Sequence, residues 1–162
     1  IVGKRVYIGR MKKHPLTRAI RIDKMTLAAL EATLMLYRDQ EGALQKIPTL
    51  RMLVLTQQEL RAKAEQLLAL MREAGIPASL VEAASQVGGG ALPTQDLPTW
   101  CVALDFPNAS AHDLEISLRH EEPSIIGRIV KDQFLLDLRT IEEVDFPITV
   151  ECIRQVTNQK DF

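Results

Sequence analysis

The chain has 162 residues, of which 46% are hydrophobic and 25% charged, and its formal net charge is −1. This length and composition suffice for one domain of ordinary size with a buried core. No apolar run reaches the roughly 18 residues of a membrane span, and the start lacks the basic, apolar and small-residue order of a signal peptide. We therefore expect a cytoplasmic protein that makes no use of a membrane.

The charge is unevenly distributed along the chain. Residues 1–24 hold eight basic side chains and one acid, Asp23, which gives this segment a net charge of +7. Such a segment is typical of a surface that faces phosphate or RNA, and a solvated amphipathic helix is the alternative. Arg18 and Arg21 lie three positions apart beside Pro15, where a turn that enters a helix can direct both guanidinium groups at one anion.

The first predicted elements are a strand end and a long helix. Residues 1–7 are mostly apolar and predict the end of a buried strand whose partners lie upstream, so we expect a truncated or processed product. Apolar side chains around residues 26–38 predict a helix that is buried along most of its circumference. The one domain boundary is predicted between these elements and the rest, giving residues 1–40 and 41–162.

The clearest helix signal follows this boundary. Thr56 and Glu59 form a capping box, which predicts the start of a helix that ends at Gly75. Its predicted core stripe consists of Leu60, Ala64, Leu67, Leu68 and Met71.

After Gly75 the pattern changes to short apolar runs separated by turns. These runs predict strands at residues 79–82, 99–104, 125–130 and 134–138. The polar sequence Lys131-Asp132-Gln133 predicts a hairpin between the last two strands.

Two further helices are predicted among and after the strands. Ser110 and Asp113 predict the cap of a helix that reaches Arg119, and Pro147 suits the first turn of a last helix ending near Thr157. Helices and an antiparallel sheet in this order predict a two-layer α+β domain.

Several common catalytic and metal patterns are missing. Cys101 and Cys152 lie far apart, so the sequence indicates neither a zinc site nor a disulfide framework, and we expect two reduced, buried thiols. The three histidines are scattered and form no metal or triad pattern. The glycines at 88–90 are not followed by the Lys-Ser/Thr of a phosphate-binding loop, so a flexible turn is the simplest interpretation.

Arg128 and Arg139 stand out because each lies on an apolar strand, where a free charge is costly to bury. Asp137 and Glu142 are close in sequence and could form structural ion pairs with them. The functional alternative is recognition of a carboxylate or phosphate, which the planar guanidinium group binds with two parallel hydrogen bonds.

Several separated motifs in the same order resemble bacterial selenocysteine synthase, the pyridoxal-phosphate-dependent L-seryl-tRNA(Sec) selenium transferase. The resemblance covers nearly the whole chain and weakens after Val144. The motifs that carry it are His14-Pro15-Leu16-Thr17-Arg18-Ala19-Ile20-Arg21, Ser85 to Pro93, Ile126-Gly127-Arg128-Ile129 and Leu136-Asp137-Leu138-Arg139.

The resemblance implies the fold and the chemistry of the family. The chain would be the C-terminal α+β small domain of a fold-type I pyridoxal-phosphate enzyme, preceded by a long linking helix. The full enzyme would convert seryl-tRNA(Sec) to selenocysteyl-tRNA(Sec) with selenophosphate, as a ring of dimers. The Schiff-base lysine would lie upstream, so this fragment would contain no catalytic residue and would be inert alone.

The resemblance also implies roles for individual residues. Arg18 and Arg21 match an arginine pair that would bind the phosphate of the selenium donor. Arg139 or Arg128 would face the substrate, with no metal involved. The residues implied to shape the same pocket are Gln86, Gly88, Gly89 and Gly90.

Two other functions stay open at this point. One is a paralogous pyridoxal-phosphate lyase or aldolase that acts on a small amino acid or sugar acid. The other is a non-catalytic tRNA-binding or assembly module that uses the basic N-terminal segment.

Overall fold

The structure, a computed structural model, describes residues 2–87 and 96–160. Contacts within the chain divide it into two compact units, residues 1–51 and 52–162. The boundary predicted after residue 40 stays a prediction.

Short helices make up the described part of the first unit. Asp23 begins the longest of them, because its carboxylate accepts hydrogen bonds from the Thr26 amide at 2.9 Å and the Thr26 hydroxyl at 2.6 Å. The helices are α1 (Arg5–Lys13), α2 (Leu16–Ala19), α3 (Lys24–Leu36) and α4 (Gln40–Lys46), and α5 (Pro48–Val54) follows them.

Two predictions for this unit are wrong. In place of the strand end predicted at residues 1–7, residues 2–4 have no regular structure and residues 5–7 begin α1. A strand needs a neighbour that satisfies its backbone groups, and none pairs with this segment in the described part of the chain. The predicted burial of α3 also fails: the helix has no buried residue, and Leu27 and Leu34 are 55% and 57% exposed.

The second unit begins with a helix that the sequence predicted closely. Helix α6 (Gln57–Glu73) has the capping box of Thr56 and Glu59 at its start, and the five predicted core residues are its buried ones. Gly75 has a φ of +74°, which glycine adopts without steric cost. The Ile76 amide donates to the Met71 carbonyl and the Gly75 amide to the Arg72 carbonyl, which is the Schellman pattern.

A four-stranded antiparallel sheet follows. All four predicted strands are confirmed, although the third is shorter than expected. Lys131 and Asp132 have φ values of 50° and 60° and form the two-residue turn of the predicted hairpin. In the order β1-β2-β4-β3, the strands are β1 (Ala78–Gln86), β2 (Asp96–Leu104), β4 (Gln133–Asp137) and β3 (Arg128–Val130).

The two remaining predicted helices are also confirmed. Helix α7 (Ala111–Arg119) begins at the Ser110 cap, and α8 (Phe146–Lys160) has Pro147 in its first turn and extends three residues past the predicted end. A 3-10 turn (Glu143–Asp145) precedes α8. Helices α6, α7 and α8 pack with one face of the sheet around a single apolar core, which confirms the α+β class.

Alternation along the strands separates two faces of the sheet. Val102 and Leu104 of β2 and Phe134 and Leu136 of β4 belong to the helix-packed core. A smaller apolar cluster of Cys101, Ala103 and Leu135 lies at the intervening positions. Within the described ranges, no helix is long and apolar enough to cross a membrane.

Candidate functional site

The polar candidates of the second unit lie on the sheet face that carries the smaller cluster. Cys101 pairs with Asp137 across β2 and β4, and Arg128 pairs with Leu135 across β3 and β4. Residues at alternate positions share a face, so Thr99 of β2 joins them. Strands β4, β3 and β2 thus bring a carboxylate, a guanidinium group and a hydroxyl group to one surface.

Asp137 is the centre of this polar group. Its Oδ1 accepts hydrogen bonds from the Thr99 hydroxyl at 2.8 Å and the Arg139 amide at 3.1 Å. Its Oδ2 accepts one from the Ser85 hydroxyl at 2.6 Å. These three bonds satisfy a carboxylate whose side chain is only 12% exposed, and none of them involves Arg128.

Arg128 reaches the same carboxylate through a longer contact. Its Nη2 lies 3.3 Å from Asp137 Oδ2 and donates to the Cys101 sulfur at 3.5 Å, while Nη1 donates to the Ala84 carbonyl at 2.6 Å. The predicted ion pair with Asp137 is therefore confirmed for Arg128. The Arg128 side chain stays 32% exposed, so it can also meet a ligand.

Cys101 beside this pair is a protonated thiol. Burial raises the pKa of Cys101, and the nearby Asp137 carboxylate raises it further. The hydrogen bond from Arg128 lowers this pKa, with an influence smaller than that of burial but larger than that of the Asp137 carboxylate. A thiol rather than a thiolate is a poor nucleophile, so this cysteine contributes shape to the site.

Arg128 and Asp137 open onto a cavity of about 360 Å³. A volume of this size lies in the range of small-molecule sites. Arg128 and Asp137 are the two charged residues of its described lining. We call it the Arg128 cavity, and its described lining residues are Ser85, Gln86, Ile126, Gly127, Arg128, Leu135, Asp137 and Thr140.

The structure brings together two of the pocket residues that the resemblance implied, Arg128 and Gln86. Gly88, Gly89 and Gly90 lie outside the described residues. Their implied role, and that of Gln86, stays a prediction.

Arg139 lies in a different environment. It is 7% exposed, and its guanidinium group donates to the backbone carbonyls of Met52 at 2.6 Å and Pro98 at 2.7 Å, with a longer bond to Leu55. Burial lowers the pKa of Arg139, and the nearby Asp137 carboxylate partly offsets this. Arg139 is absent from the described lining of the Arg128 cavity, and its substrate role stays a prediction.

Arg18 and Arg21 belong to the first unit. Arg18 lies in α2, Arg21 lies in the connection to α3, and both are exposed. The predicted helix entry exists, but its terminal Thr26 amide is already bonded to Asp23. An anion held here would therefore be bound by the arginine side chains, and this role stays a prediction.

The sequence interpretation missed the hydroxyl groups around Asp137. Ser85, Thr99 and Thr140 were not singled out as polar partners, and Asp137 was considered only as an ion-pair partner. The available signal was the two-residue period of the strands, which places Ser85 and Thr99 on the same face as their strands' cluster residues.

The described residues of the cavity do not fit a covalently attached cofactor or a metal ion. No lysine lines the described part of the Arg128 cavity, so covalent attachment of an aldehyde cofactor there does not fit. In the described residues, no three or more His, Cys, Asp and Glu side chains are grouped so that they could hold a metal ion.

The fold and the cavity define an α+β domain with an arginine–carboxylate pair at a cavity of small-molecule size. The sequence model of the SelA family, L-seryl-tRNA selenium transferase, matches residues 1–142. The chain therefore belongs to the L-seryl-tRNA selenium transferase family.

Individual relatives agree with this assignment. An L-seryl-tRNA(Sec) selenium transferase of Geobacter sulfurreducens is 46% identical over 162 residues, covering 98% of this chain and 35% of the relative. The enzyme of Geotalea daltonii is 53% identical over 159 residues, which cover 96% of this chain and 34% of the relative. The enzyme of Carboxydothermus hydrogenoformans is 46% identical over 150 residues, which cover 90% of this chain and 32% of the relative. The chain thus spans about a third of the length of these relatives.

Proposed function

We propose that this chain is the C-terminal portion of an enzyme that converts seryl-tRNA(Sec) to selenocysteyl-tRNA(Sec) with selenophosphate. The observation that carries the proposal is the 46–53% identity to selenium transferases across nearly all of the chain. The 32–35% share of the relatives that it covers supports a contribution to a site completed elsewhere.

The arginines of the chain supply its part of the site. Arg18 and Arg21 bind the phosphate of the selenium donor, since two guanidinium groups three residues apart can share one anion. Arg128 orients the seryl group in the Arg128 cavity, which Gln86 also lines. The pocket-shaping role of the glycines at 88–90 rests on the resemblance alone. Arg139 is the weaker candidate for substrate contact, because its guanidinium group is bonded to backbone carbonyls.

The cofactor of the complete enzyme is pyridoxal phosphate, held by a lysine outside this chain. It supplies an electron sink for the reacting carbon when bound. The chain's own residues bind and orient the two substrates, and the chain alone is inert. The complete enzyme acts in the cytoplasm as a homo-oligomer.

A chimera tests this proposal. The matching third of the Geobacter sulfurreducens enzyme is replaced by this chain, and formation of selenocysteyl-tRNA(Sec) from seryl-tRNA(Sec) and selenophosphate is measured. We expect turnover by the chimera and none by this chain alone. A chimera that folds and assembles like the parent enzyme but has no turnover would contradict the proposal.

A further inference from the structure

The charge state of the Arg128 cavity bears on which form of the amino acid it accepts. Arg128 carries one positive charge and Asp137 one negative charge, and their atoms are 3.3 Å apart. No other charged residue belongs to the described lining. The described lining is therefore neutral overall, although it contains an arginine.

A free carboxylate fits such a cavity poorly. It would bring a second negative charge beside Asp137, whose own charge is held in place by Ser85, Thr99 and the Arg139 amide. Like charges within a few ångströms repel strongly where solvent is partly excluded. An uncharged carbonyl oxygen accepts a hydrogen bond from Arg128 without this penalty.

We propose that Asp137 is a specificity-determining residue that makes the Arg128 cavity select an esterified amino acid over the free amino acid. The inference rests on the proposed function, in which serine is attached to tRNA as an ester. Asp137 acts through Arg128, because it cancels the charge that would attract a carboxylate. Arg128 Nη2 contacts Cys101 and Asp137. Nη1 carries a second N–H beyond the one donated to Ala84, and this N–H can be donated to the ester carbonyl.

The substitution Asp137→Asn isolates this role. Both bonds to Oδ1, from Thr99 and the Arg139 amide, are kept by the asparagine carbonyl oxygen. The asparagine NH₂ replaces Oδ2 and can donate to the Ser85 hydroxyl oxygen. The charge interaction with Arg128 is lost, and the bond with Ser85 reverses its direction, so the Ser85 hydroxyl proton needs another acceptor. The main change is therefore in the charge of the cavity.

The probes are L-serine and L-serine methyl ester, which share an ammonium group and differ in the charge of the carboxyl end. Each is titrated into the chain, and the dissociation constant is read from NMR shifts of the backbone amides of Gln86 and Thr140, which line the cavity. We expect the wild-type chain to bind the ester more tightly. In Asp137→Asn the preference for the ester, measured as the dissociation constant of serine divided by that of its methyl ester, falls by about tenfold. The reason is that a unit negative charge is removed from a partly exposed site.

Two further variants make the test independent of one substitution. Arg128→Gln removes the positive charge that compensates the Asp137 carboxylate. The preference for the ester over free serine should therefore increase. Glu115→Gln is the matched control, because Glu115 pairs with Arg119 at 2.6 Å and is absent from the described cavity lining. It leaves the ratio at the wild-type value.

The inference is overturned if wild type prefers free serine, if the ratio does not change in Asp137→Asn, or if Glu115→Gln changes it equally. Failure of both probes to shift either amide in any variant also overturns it. The proposed function is judged separately by the chimera. If the chimera is active but Asp137→Asn leaves the ratio of the two dissociation constants unchanged, only the inference about Asp137 is contradicted. If Asp137→Asn changes the ratio as expected but the chimera is inactive, only the proposed function is contradicted.

Discussion

At Gly127 the packing of the second unit leaves no room for a side chain. A Cβ atom built on Gly127 would lie 2.7 Å from two ring carbons of Phe134 and closer still to a third. Phe134 is 1% exposed and belongs to the apolar core, so its ring has little room to move. Gly127 therefore allows the segment before β3 to cross directly over a core side chain.

We predict that Gly127→Ala lowers the free energy of unfolding by about 1–3 kcal/mol, the usual cost of overpacking a core. Urea unfolding followed by circular dichroism measures it. Gly9→Ala is the control, because nothing lies within 4 Å of its added Cβ and the residue is in α1. An unchanged midpoint for Gly127→Ala would contradict the close approach.

The Arg139 guanidinium group holds two backbone segments together through its hydrogen bonds. Lysine keeps the charge but cannot donate to the Met52 and Pro98 carbonyls together, so Arg139→Lys should lower the free energy of unfolding by about 2 kcal/mol. Arg119→Lys, on the surface, should stay within about 0.5 kcal/mol of wild type. Weaker serine ester binding by Arg139→Lys at unchanged stability would instead favour a substrate role.

Individual residues were predictable where the signal is local. The capping box of Thr56 and Glu59 and the turn at Lys131-Asp132 depend on a few neighbouring residues, so the sequence contains all that determines them. The polar group around Asp137 joins residues more than 30 positions apart. Its register depends on strand pairing, which the pattern of one strand does not specify.

At the scale of elements, α6 owes its start to a charge-dependent cap. Glu59 accepts hydrogen bonds from the Thr56 hydroxyl at 2.7 Å and the Thr56 amide at 2.8 Å. The hydroxyl is the larger cause and the amide the next, and together they lower the pKa of Glu59 below its ordinary value of 4.5. A lowered pKa means that the ionised form is favoured by folding.

The contribution of Glu59 is fully present above pH 4.5 and is lost as the pH falls through the folded-state pKa. We predict that Glu59→Gln is less stable than wild type at neutral pH and that the difference disappears in acid, where protonated Glu59 resembles glutamine. Urea midpoints of both proteins across this range test it, and a difference that is independent of pH would contradict it.

The helices and strands of the second unit were predicted well. The predictions for residues 1–7 and for the burial of α3, both in the first unit, were wrong. The periodic apolar stripe of α6 packs on the sheet as expected. For α3 the apolar residues indicated burial, but burial requires a second apolar surface, and the helix has no buried residue. Residues 5–13 form a helix, and no strand of the described chain lies beside them to complete the predicted strand pairing.

At the scale of the whole molecule, the second unit contains nearly all of the core. Among the described residues, every buried apolar side chain except Ala43 follows residue 52. The second unit therefore holds the interactions that make unfolding cooperative.

We predict that deletion of residues 1–40 leaves the urea midpoint of the main unfolding transition unchanged. A chain that begins at Gln57 is the control: it lacks the Met52 and Leu55 carbonyls that bind Arg139 and the Thr56 cap of α6. It should unfold at a clearly lower urea concentration. A lower midpoint for residues 41–162 would show that the domain boundary predicted after residue 40 is wrong.

The visible absorbance of the chimera tests most directly whether this chain can complete a selenium transferase. The spectrum is recorded with pyridoxal phosphate bound, before and after addition of seryl-tRNA(Sec) or of free serine. We predict a cofactor band that changes with seryl-tRNA(Sec) and not with free serine. A band that responds equally to free serine would indicate a lyase of small amino acids, and a correctly assembled chimera whose band ignores seryl-tRNA(Sec) would contradict the claim.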